Sequence, residues 1–416
     1  MSPELTSILV LVVVFVIATT RSINMGVLSF AAAFGVGELV ADLDADGIFA
    51  GFPGDLFVVL VGVTYLFAIA RANGTTDWLV RAAIRLVGGR VALIPWVMFV
   101  ITGTLTAIGA LSPAAVAIVA PVALSFAARY GISPLLMGAM VVHGAQGGGF
   151  SPISVYGSIV NGIVEREGLP GNEVFLFLAS AVVNLVIAAV LFVVLGGLKL
   201  SGREGDRAGE REAGEDPGLN PARITTLAAL AALVVGVLAF DLDAGLSAIT
   251  LAVLLNLCWP DEGRRAVGQI AWPTVLLICG VLTYVGVLEE MGTIAYAGNA
   301  VGDIGVPLLA AVLLCYIGAI ISAFASSVGI MGALIPLAVP FLAQGEIGAV
   351  GMIAALAVSA TVVDVSPFST NGALVLAAAP EVDRERFFRQ LMVYGGVVVT
   401  AVPAVVWLAL VVPGIG

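Results

Sequence analysis

Two polar motifs recur inside apolar stretches of this sequence, and each combines serine hydroxyls with a proline. Residues 151–157 read Ser-Pro-Ile-Ser-Val-Tyr-Gly, and residues 366–372 read Ser-Pro-Phe-Ser-Thr-Asn-Gly. The two motifs lie 215 residues apart, and the same offset relates Ser112 to Ser327. A common offset at separated points indicates an internal duplication, and duplicated helix-breaking motifs in a hydrophobic protein are typical of secondary-transporter binding sites.

Serine followed by proline is typical of a helix start, since serine caps the first turn and proline fits it without strain. Four predicted helix starts of this kind are Ser112-Pro113, Ser151-Pro152 with Ser154, Ser366-Pro367 with Ser369, and Ser326-Ser327, which lacks the proline. Each would present free N–H groups, hydroxyls and the positive end of a helix dipole, which together bind an anion without lysine or arginine. The alternative is that Ser-Pro only kinks packed helices, and the matched offset argues against it.

These motifs predict one binding site shared between the two halves of the chain. The predicted substrate-binding residues are Ser112, Gln146, Ser151, Ser154, Ser327, Ser366, Ser369, Thr370 and Asn371. Unwound backbone carbonyls beside the same hydroxyls could hold Na⁺. The predicted sodium position lies near Ser112, Gly149, Ser326, Ser327 and Asp364.

Two ionisable residues in apolar segments are predicted to couple a cation to transport. Asp364 lies just before the second motif, and an ionisable residue at membrane depth is functional by default. Its counterpart at the 215-residue offset is Gly149, so its role would be asymmetric. It could ligate a cation, carry a proton or cap a helix. His143, the only histidine, could bind substrate or move a proton, or be a neutral residue hydrogen-bonded between helices.

The composition requires that these residues lie in a membrane. The chain is 60% hydrophobic and 11% charged, with a mean hydropathy of +1.13, which excludes a soluble domain of 416 residues. Residues 7–20 lack a preceding cation, so they predict a first span rather than a secretory signal. Three cysteines in apolar segments imply no disulfide framework. Nothing in the sequence favours nucleic-acid binding.

The hydropathy pattern predicts an all-α polytopic membrane protein with two inverted repeats of five spans, each with a hairpin and a broken helix. The repeats cover residues 1–197 and 223–416, and a polar cytoplasmic linker covers 198–222. The predicted segments are 6–20, 24–41, 56–72, hairpin 91–128, 134–164 and 173–197, then 223–240, 244–259, 273–290, hairpin 306–343, 346–378 and 390–412. Segments 134–164 and 346–378 exceed the ~20 residues of a span and contain central Gly or Pro, so each should be broken.

The charge distribution predicts the orientation. An odd number of crossings in the first half inverts the second half. With the N-terminus outside, sixteen of the seventeen lysines and arginines fall on the cytoplasmic side, and only Arg166 falls outside. We therefore predict a multi-pass protein of the cell's inner (plasma) membrane with both termini extracytoplasmic.

Several stretches of the first half resemble a known family. They are residues 51–57, 62–67, 73–78, 142–146 and 151–154. Together they resemble the N-terminal region of the dicarboxylate carrier family named MatC, closely over residues 1–200 and beyond that by architecture. That family is similar to the wider ion-transporter superfamily that includes the divalent-anion/Na⁺ symporters.

The resemblance implies inverted repeats with re-entrant hairpins, a homodimer, and a mobile transport domain beside a scaffold. It implies malonate or a C4-dicarboxylate as substrate. Hairpin tips in the superfamily carry Ser-Asn-Thr, which binds a substrate carboxylate and flanks Na⁺. Here the tips read Ser112-Pro113-Ala114 and Ser326-Ser327-Val328, without the asparagine and threonine.

The sequence thus predicts a cation-coupled dicarboxylate importer that contacts membrane lipid and needs no cofactor beyond Na⁺ as coupling ion. Two alternatives stay open: an Na⁺/H⁺ or oxyanion exchanger, and the membrane subunit of a binding-protein-dependent transporter. An intramembrane enzyme is disfavoured, because one histidine without an acidic cluster supplies neither a nucleophile–base pair nor a metal site.

Overall fold

The computed structural model describes residues 2–21, 23–85, 90–200, 218–240, 242–294, 296, 306–323, 327–342, 345, 347–379 and 383–416. The regular elements in these residues are helices. A helix satisfies its backbone hydrogen bonds within itself, which is what an apolar chain requires in lipid. The predicted all-α fold is confirmed.

The first half contains ten helices in the described residues. They are α1 (Pro3–Thr20), α2 (Met25–Leu39), α3 (Ala45–Ala50), α4 (Gly54–Ala72), α5 (Thr75–Arg85), α6 (Ile94–Ala107), α7 (Ser112–Tyr130), α8 (Pro134–Gly148), α9 (Val155–Arg166) and α10 (Glu173–Val194). The helices α6 and α7 form the predicted hairpin, and α8 and α9 are the two parts of the predicted broken helix.

The second half repeats this order in the described residues, apart from a counterpart of α5, which would fall at 290–300, partly outside them. Its helices are α11 (Pro221–Phe240), α12 (Ala244–Cys258), α13 (Pro260–Val267), α14 (Trp272–Glu290), α15 (Pro307–Ser322), α16 (Ser327–Leu342), α17 (Ala349–Val362), α18 (Thr370–Ala378) and α19 (Arg384–Val406). The short α13 follows α12 as α3 follows α2. The inverted orientation of the halves stays a prediction, and most of the predicted linker, 201–217, lies outside the described residues.

Six helical segments in the described part of the chain are long and apolar enough to cross a membrane. They are Gly54–Ala72, Ser112–Tyr130, Glu173–Val194, Trp272–Glu290, Ala349–Ala378 and Glu385–Val411. Shorter apolar helices, including α2, α12 and α15, occur in addition to them. The chain is therefore a multi-pass membrane protein.

Glycines bring two pairs of helices into backbone contact. A Cβ atom on Gly26 of α2 would lie 1.9 Å from the carbonyl oxygen of Leu276 in α14, and one on Gly280 would lie 2.0 Å from that of Gly26. In the other pair, a Cβ on Gly62 of α4 would lie 2.5 Å from the carbonyl oxygen of Gly245 in α12. Small residues allow such approaches in membranes. The four helices α2, α4, α12 and α14 form what we call the scaffold group.

A second group of helices packs around the two broken ones. In the first half α8 lies between α6 and α10, and in the second α17 lies against α15 and α19. Every residue of α17 except Val350 is buried. The close approach of α6 and α8 requires Gly148, where a Cβ would lie 1.9 Å from the carbonyl oxygen of Gly103. These helices, α6–α10 and α15–α19, are called the site group, and α9 and α16 contact α4 and α14 of the scaffold group.

The two helix breaks differ from the prediction in where their helices start. Ser154 caps α9 and Ser369 caps α18, so Ser151 and Ser366 are not the capping residues. Ser112 was also predicted as a cap, but α7 begins at Ser112 itself, and Leu111 stands at the cap without a side-chain bond. Both errors arise because proline is tolerated in the first turn of a helix and in the loop before it. A proline therefore locates a helix start only to within about one turn and does not identify the capping residue.

Candidate functional site

The repeated serines and glycines of the two motifs build the turns between the helix pieces. The Ser154 hydroxyl accepts a hydrogen bond from the Gly157 amide at 3.1 Å, and the Ser369 hydroxyl accepts one from the Gly372 amide at 3.3 Å. A Cβ on Gly157 would lie 2.0 Å from the carbonyl oxygen of Ser151. A Cβ on Gly372 would lie 1.9 Å from that of Ser366. The shared residues of the motif are therefore needed to fold the break.

The first serines of the motifs also bond locally. The Ser151 hydroxyl donates to the carbonyl oxygen of Ala107 at 2.5 Å, which ties the first break to the end of α6. The Ser366 hydroxyl accepts from the Phe368 amide at 3.3 Å. Both side chains are buried, with 6% of their surface exposed. Neither hydroxyl is hydrogen-bonded to the polar cluster described next.

A buried carboxylate lies where the two halves meet. The Oδ1 atom of Asp364, between α17 and α18, accepts a hydrogen bond from the Ser327 hydroxyl at 2.8 Å. Its Oδ2 atom accepts one from Nε2 of Gln146, in α8, at 2.9 Å. Ser322 supports Ser327 through a 2.8 Å hydroxyl–hydroxyl bond. Among the residues whose burial is described, Asp364 is the only buried carboxylate, and no lysine or arginine is buried.

The hydroxyl of Ser112, at the start of α7, joins the same cluster. It accepts a hydrogen bond from Nδ2 of Asn371 at 2.8 Å and a longer one from Nε2 of Gln146 at 3.4 Å. The side chain of Tyr156 also faces Ser112 and Asp364. Ser112, Gln146, Tyr156, Ser327, Asp364 and Asn371 are called the polar cluster below. The cluster joins the starts of α7 and α16 to both helix breaks.

Two oxygens of the polar cluster have no hydrogen-bond partner. They are Oε1 of Gln146 and Oδ1 of Asn371, and both side chains are fully buried. A buried polar atom without a partner is costly and calls for an explanation such as an ion. Two amide oxygens, a carboxylate and a hydroxyl form an all-oxygen donor set, which suits a hard cation such as Na⁺.

His143 lies outside the polar cluster and connects to it through other residues. Its Nδ1 atom is 2.8 Å from Oδ1 of Asn184, and its Nε2 atom bonds the Tyr394 hydroxyl. Asn184 donates to the carbonyl oxygen of Ser180 at 2.9 Å, and the Ser180 hydroxyl donates to the backbone carbonyl of Gln146 at 3.0 Å. This arrangement fits the last of the possibilities given above for His143, a residue hydrogen-bonded between helices.

The other predicted residues are placed individually. Thr370 is exposed at the start of α18. Gly149 caps the end of α8, and its carbonyl accepts from Ser154, so that oxygen already has a partner. Ser326 lies outside the described residues. The structure therefore brings together five of the predicted residues, Ser112, Gln146, Ser327, Asp364 and Asn371.

Tyr156 was not among the predicted site residues, although a signal for it was present. It occupies the motif position that corresponds to Asn371 at the 215-residue offset. The sequence prediction rests on the serines and the glycine that the two motif copies share. Tyr156 stands at a position where the copies differ, and its side chain faces the polar cluster. Ser180, Asn184 and Tyr394 gave no such signal.

Comparison with known proteins supports a carrier. Residues 1–149 match the family described as the N-terminus of the dicarboxylate carrier protein MatC. The resemblance stated from the sequence is thus confirmed over these residues. A comparison with curated protein sequences finds no match.

A solved structure shares the fold. It is the crystal structure of the YdaH transporter of Alcanivorax borkumensis, described as having an unusual topology. The TM-score is 0.61 at 14% identity, and the alignment covers 98% of each chain. The MatC match and this transporter fold indicate a transporter rather than an enzyme.

Proposed function

We propose that this chain imports a small dicarboxylate, malonate or a C4-dicarboxylate, by symport with a cation. The MatC match supports the dicarboxylate class, since that family is described as a dicarboxylate carrier. The observation that carries the coupling is the buried Asp364 carboxylate, which bonds the neutral groups of Ser327 and Gln146. We place substrate and cation at the polar cluster.

Electrostatics make a co-bound cation necessary at this position. A dicarboxylate adds two negative charges beside the carboxylate of Asp364. At an effective dielectric constant of 20, two like charges about 4 Å apart repel by about 4 kcal/mol. A helix start contributes only about half a positive charge. Since no described lysine or arginine is buried, a cation must supply the remaining countercharge.

Sodium is the favoured cation because of the two unpaired amide oxygens. Oε1 of Gln146 and Oδ1 of Asn371 would ligate it together with Asp364 and the Ser112 hydroxyl. A proton on Asp364 is the alternative, since it also removes the negative charge, but it leaves both amide oxygens without a partner. An Na⁺/H⁺ or oxyanion exchanger of the same fold would use the same carboxylate without dicarboxylate symport.

We infer an elevator-type movement of the site group against the scaffold group. The polar cluster lies within the site group, whose contacts with the scaffold group include those of α9 with α4 and of α16 with α14. Backbone contacts at four glycines pack the helices of the scaffold group closely in pairs: Gly26, Gly62, Gly245 and Gly280. We expect the protein to act as a homodimer, as the resemblance implies.

The proposal is tested by uptake into proteoliposomes. Labelled malonate, succinate and citrate are compared with and without an inward Na⁺ gradient, at constant pH. We expect Na⁺-driven malonate or succinate uptake, and its loss in Asp364→Asn, which keeps the shape and removes the charge. Uptake that follows a pH gradient and ignores Na⁺ would make the protein a proton symporter. No uptake of any dicarboxylate would refute the proposed substrate class.

A further inference from the structure

A long apolar groove lies outside the polar cluster, between α10 and α19. Its volume is about 940 Å³, and Leu135 of α8 contributes to its lining. Its walls are mainly aliphatic, and they include Val186, Val190 and Val194 of α10 and Val393, Val397 and Ala401 of α19. The exposed fractions of Val190, Val194 and Val397 are 55%, 72% and 58%, so the groove is accessible from the lipid phase.

One end of the groove is charged. Arg386 and Arg389 of α19 line it there, together with Asp383 and Glu385. The Asp383 carboxylate accepts hydrogen bonds from the Glu385 and Arg386 amides at 3.1 Å each, so it serves the helix start. Glu385 pairs with Arg389 at 3.1 Å. Arg386 is therefore available to an anionic group.

The length of the groove suits a hydrocarbon chain. The lining extends along α19 from Arg386 to Val402, which is about 24 Å at 1.5 Å per residue and covers most of a hydrocarbon core of about 30 Å.

We propose that this groove binds a membrane phospholipid, with its phosphate at Arg386 and an acyl chain along the valines of α10 and α19. The charged end carries the start of α19, which the cation distribution predicts to lie in the cytoplasm. Anionic lipids are enriched in that leaflet, and basic pockets between membrane helices bind their headgroups. The site is independent of the proposed transport function.

The test uses the full-length purified protein and native mass spectrometry with added phosphatidylglycerol. We expect a saturable phosphatidylglycerol adduct in the unmodified protein. Arg386→Gln should weaken it about fivefold, since one basic side chain near the headgroups contributes about 1 kcal/mol. Arg264→Gln is the matched control, because Arg264 is an exposed arginine of α13 outside the groove, and it should leave binding unchanged.

A second pair of variants tests the acyl chain. Val190→Trp should fill the groove and abolish the adduct, whereas Val182→Trp should not. Both valines belong to α10 and are 55% exposed, but only Val190 lines the groove. Equal lipid retention in the unmodified protein, Arg386→Gln and Val190→Trp would overturn the proposal. Full displacement of the lipid by soluble glycerol 3-phosphate would also overturn it, because that result would indicate a phosphate site. A change in the dimer fraction alone in Val190→Trp would overturn it too, because that result would indicate a protein interface.

Discussion

Replacing Asn371 by alanine should weaken substrate binding without unfolding the protein. Asn371 is fully buried, donates to Ser112 at 2.8 Å and leaves its Oδ1 atom unpaired. We expect the second N–H of the Asn371 amide to donate to a substrate carboxylate, and a hydrogen bond to a charged partner contributes about 1.5–3 kcal/mol. Asn371→Ala should therefore raise the Kd for malonate roughly ten- to a hundredfold. Isothermal titration of the purified protein at fixed Na⁺ measures this change.

Ser369→Ala is the matched control, because it lies two residues away in the same motif. Its hydroxyl bonds only backbone groups, the Asp364 carbonyl at 2.6 Å, the Ser366 carbonyl at 2.7 Å and the Gly372 amide at 3.3 Å. Loss of a helix cap costs about 0.5–2 kcal/mol of stability, so its melting temperature should fall while its affinity changes little. The reasoning is refuted if Asn371→Ala binds malonate like the unmodified protein, or if Ser369→Ala loses the same affinity at unchanged stability.

The remaining predictions concern topology, packing, specificity and pH. In a background without native cysteines, an impermeant reagent should label Gly416→Cys but not Ser201→Cys in intact cells; labelling of Ser201→Cys would contradict the inverted repeats. Gly280→Leu should destabilise the scaffold group, because a Cβ there already lies 2.0 Å from the Gly26 carbonyl, whereas Gly396→Ala, with no atom within 4 Å, should be neutral in a thermal melt. Tyr156→Phe should change the malonate-to-succinate affinity ratio, and an unchanged ratio would remove Tyr156 from the site. Burial and the nearby Glu289 raise the pKa of Glu167 above its usual value, with Arg166 opposing them in part, so the charged form is disfavoured in the folded state. Glu167→Gln should therefore raise thermal stability at neutral pH, and the difference should shrink as the pH falls through that raised pKa; a constant difference would contradict this.

The helices and their breaks could be predicted from the sequence, because lipid leaves few alternatives to a helix and Ser-Pro-Gly motifs mark where one stops. The break in residues 134–164 runs from Gly149 to Ser154, and the order of helices recurs as the 215-residue offset predicts. The second helix of each hairpin begins at Ser112 or Ser327, and the sequence predicts both positions for the same reason.

The roles of individual serines could not be predicted, because a serine hydroxyl serves a backbone turn and a ligand equally well. Ser154 and Ser369 cap helices, whereas Ser112 and Ser327 bond side chains from distant parts of the chain. Those bonds depend on how α7, α8, α16 and α18 pack against one another. A local sequence pattern does not indicate this packing. The same holds for His143, whose partner Tyr394 lies 251 residues away in sequence.

The central claim is that a cation bound at Asp364 allows a dicarboxylate to bind. The most direct measurement is equilibrium binding of labelled malonate to the purified protein at fixed pH, with Na⁺ replaced stepwise by choline. The account predicts that affinity rises with Na⁺, that malonate tightens Na⁺ by the same factor, and that both effects disappear in Asp364→Asn. Malonate binding that is equally tight in choline and in Na⁺ would contradict it.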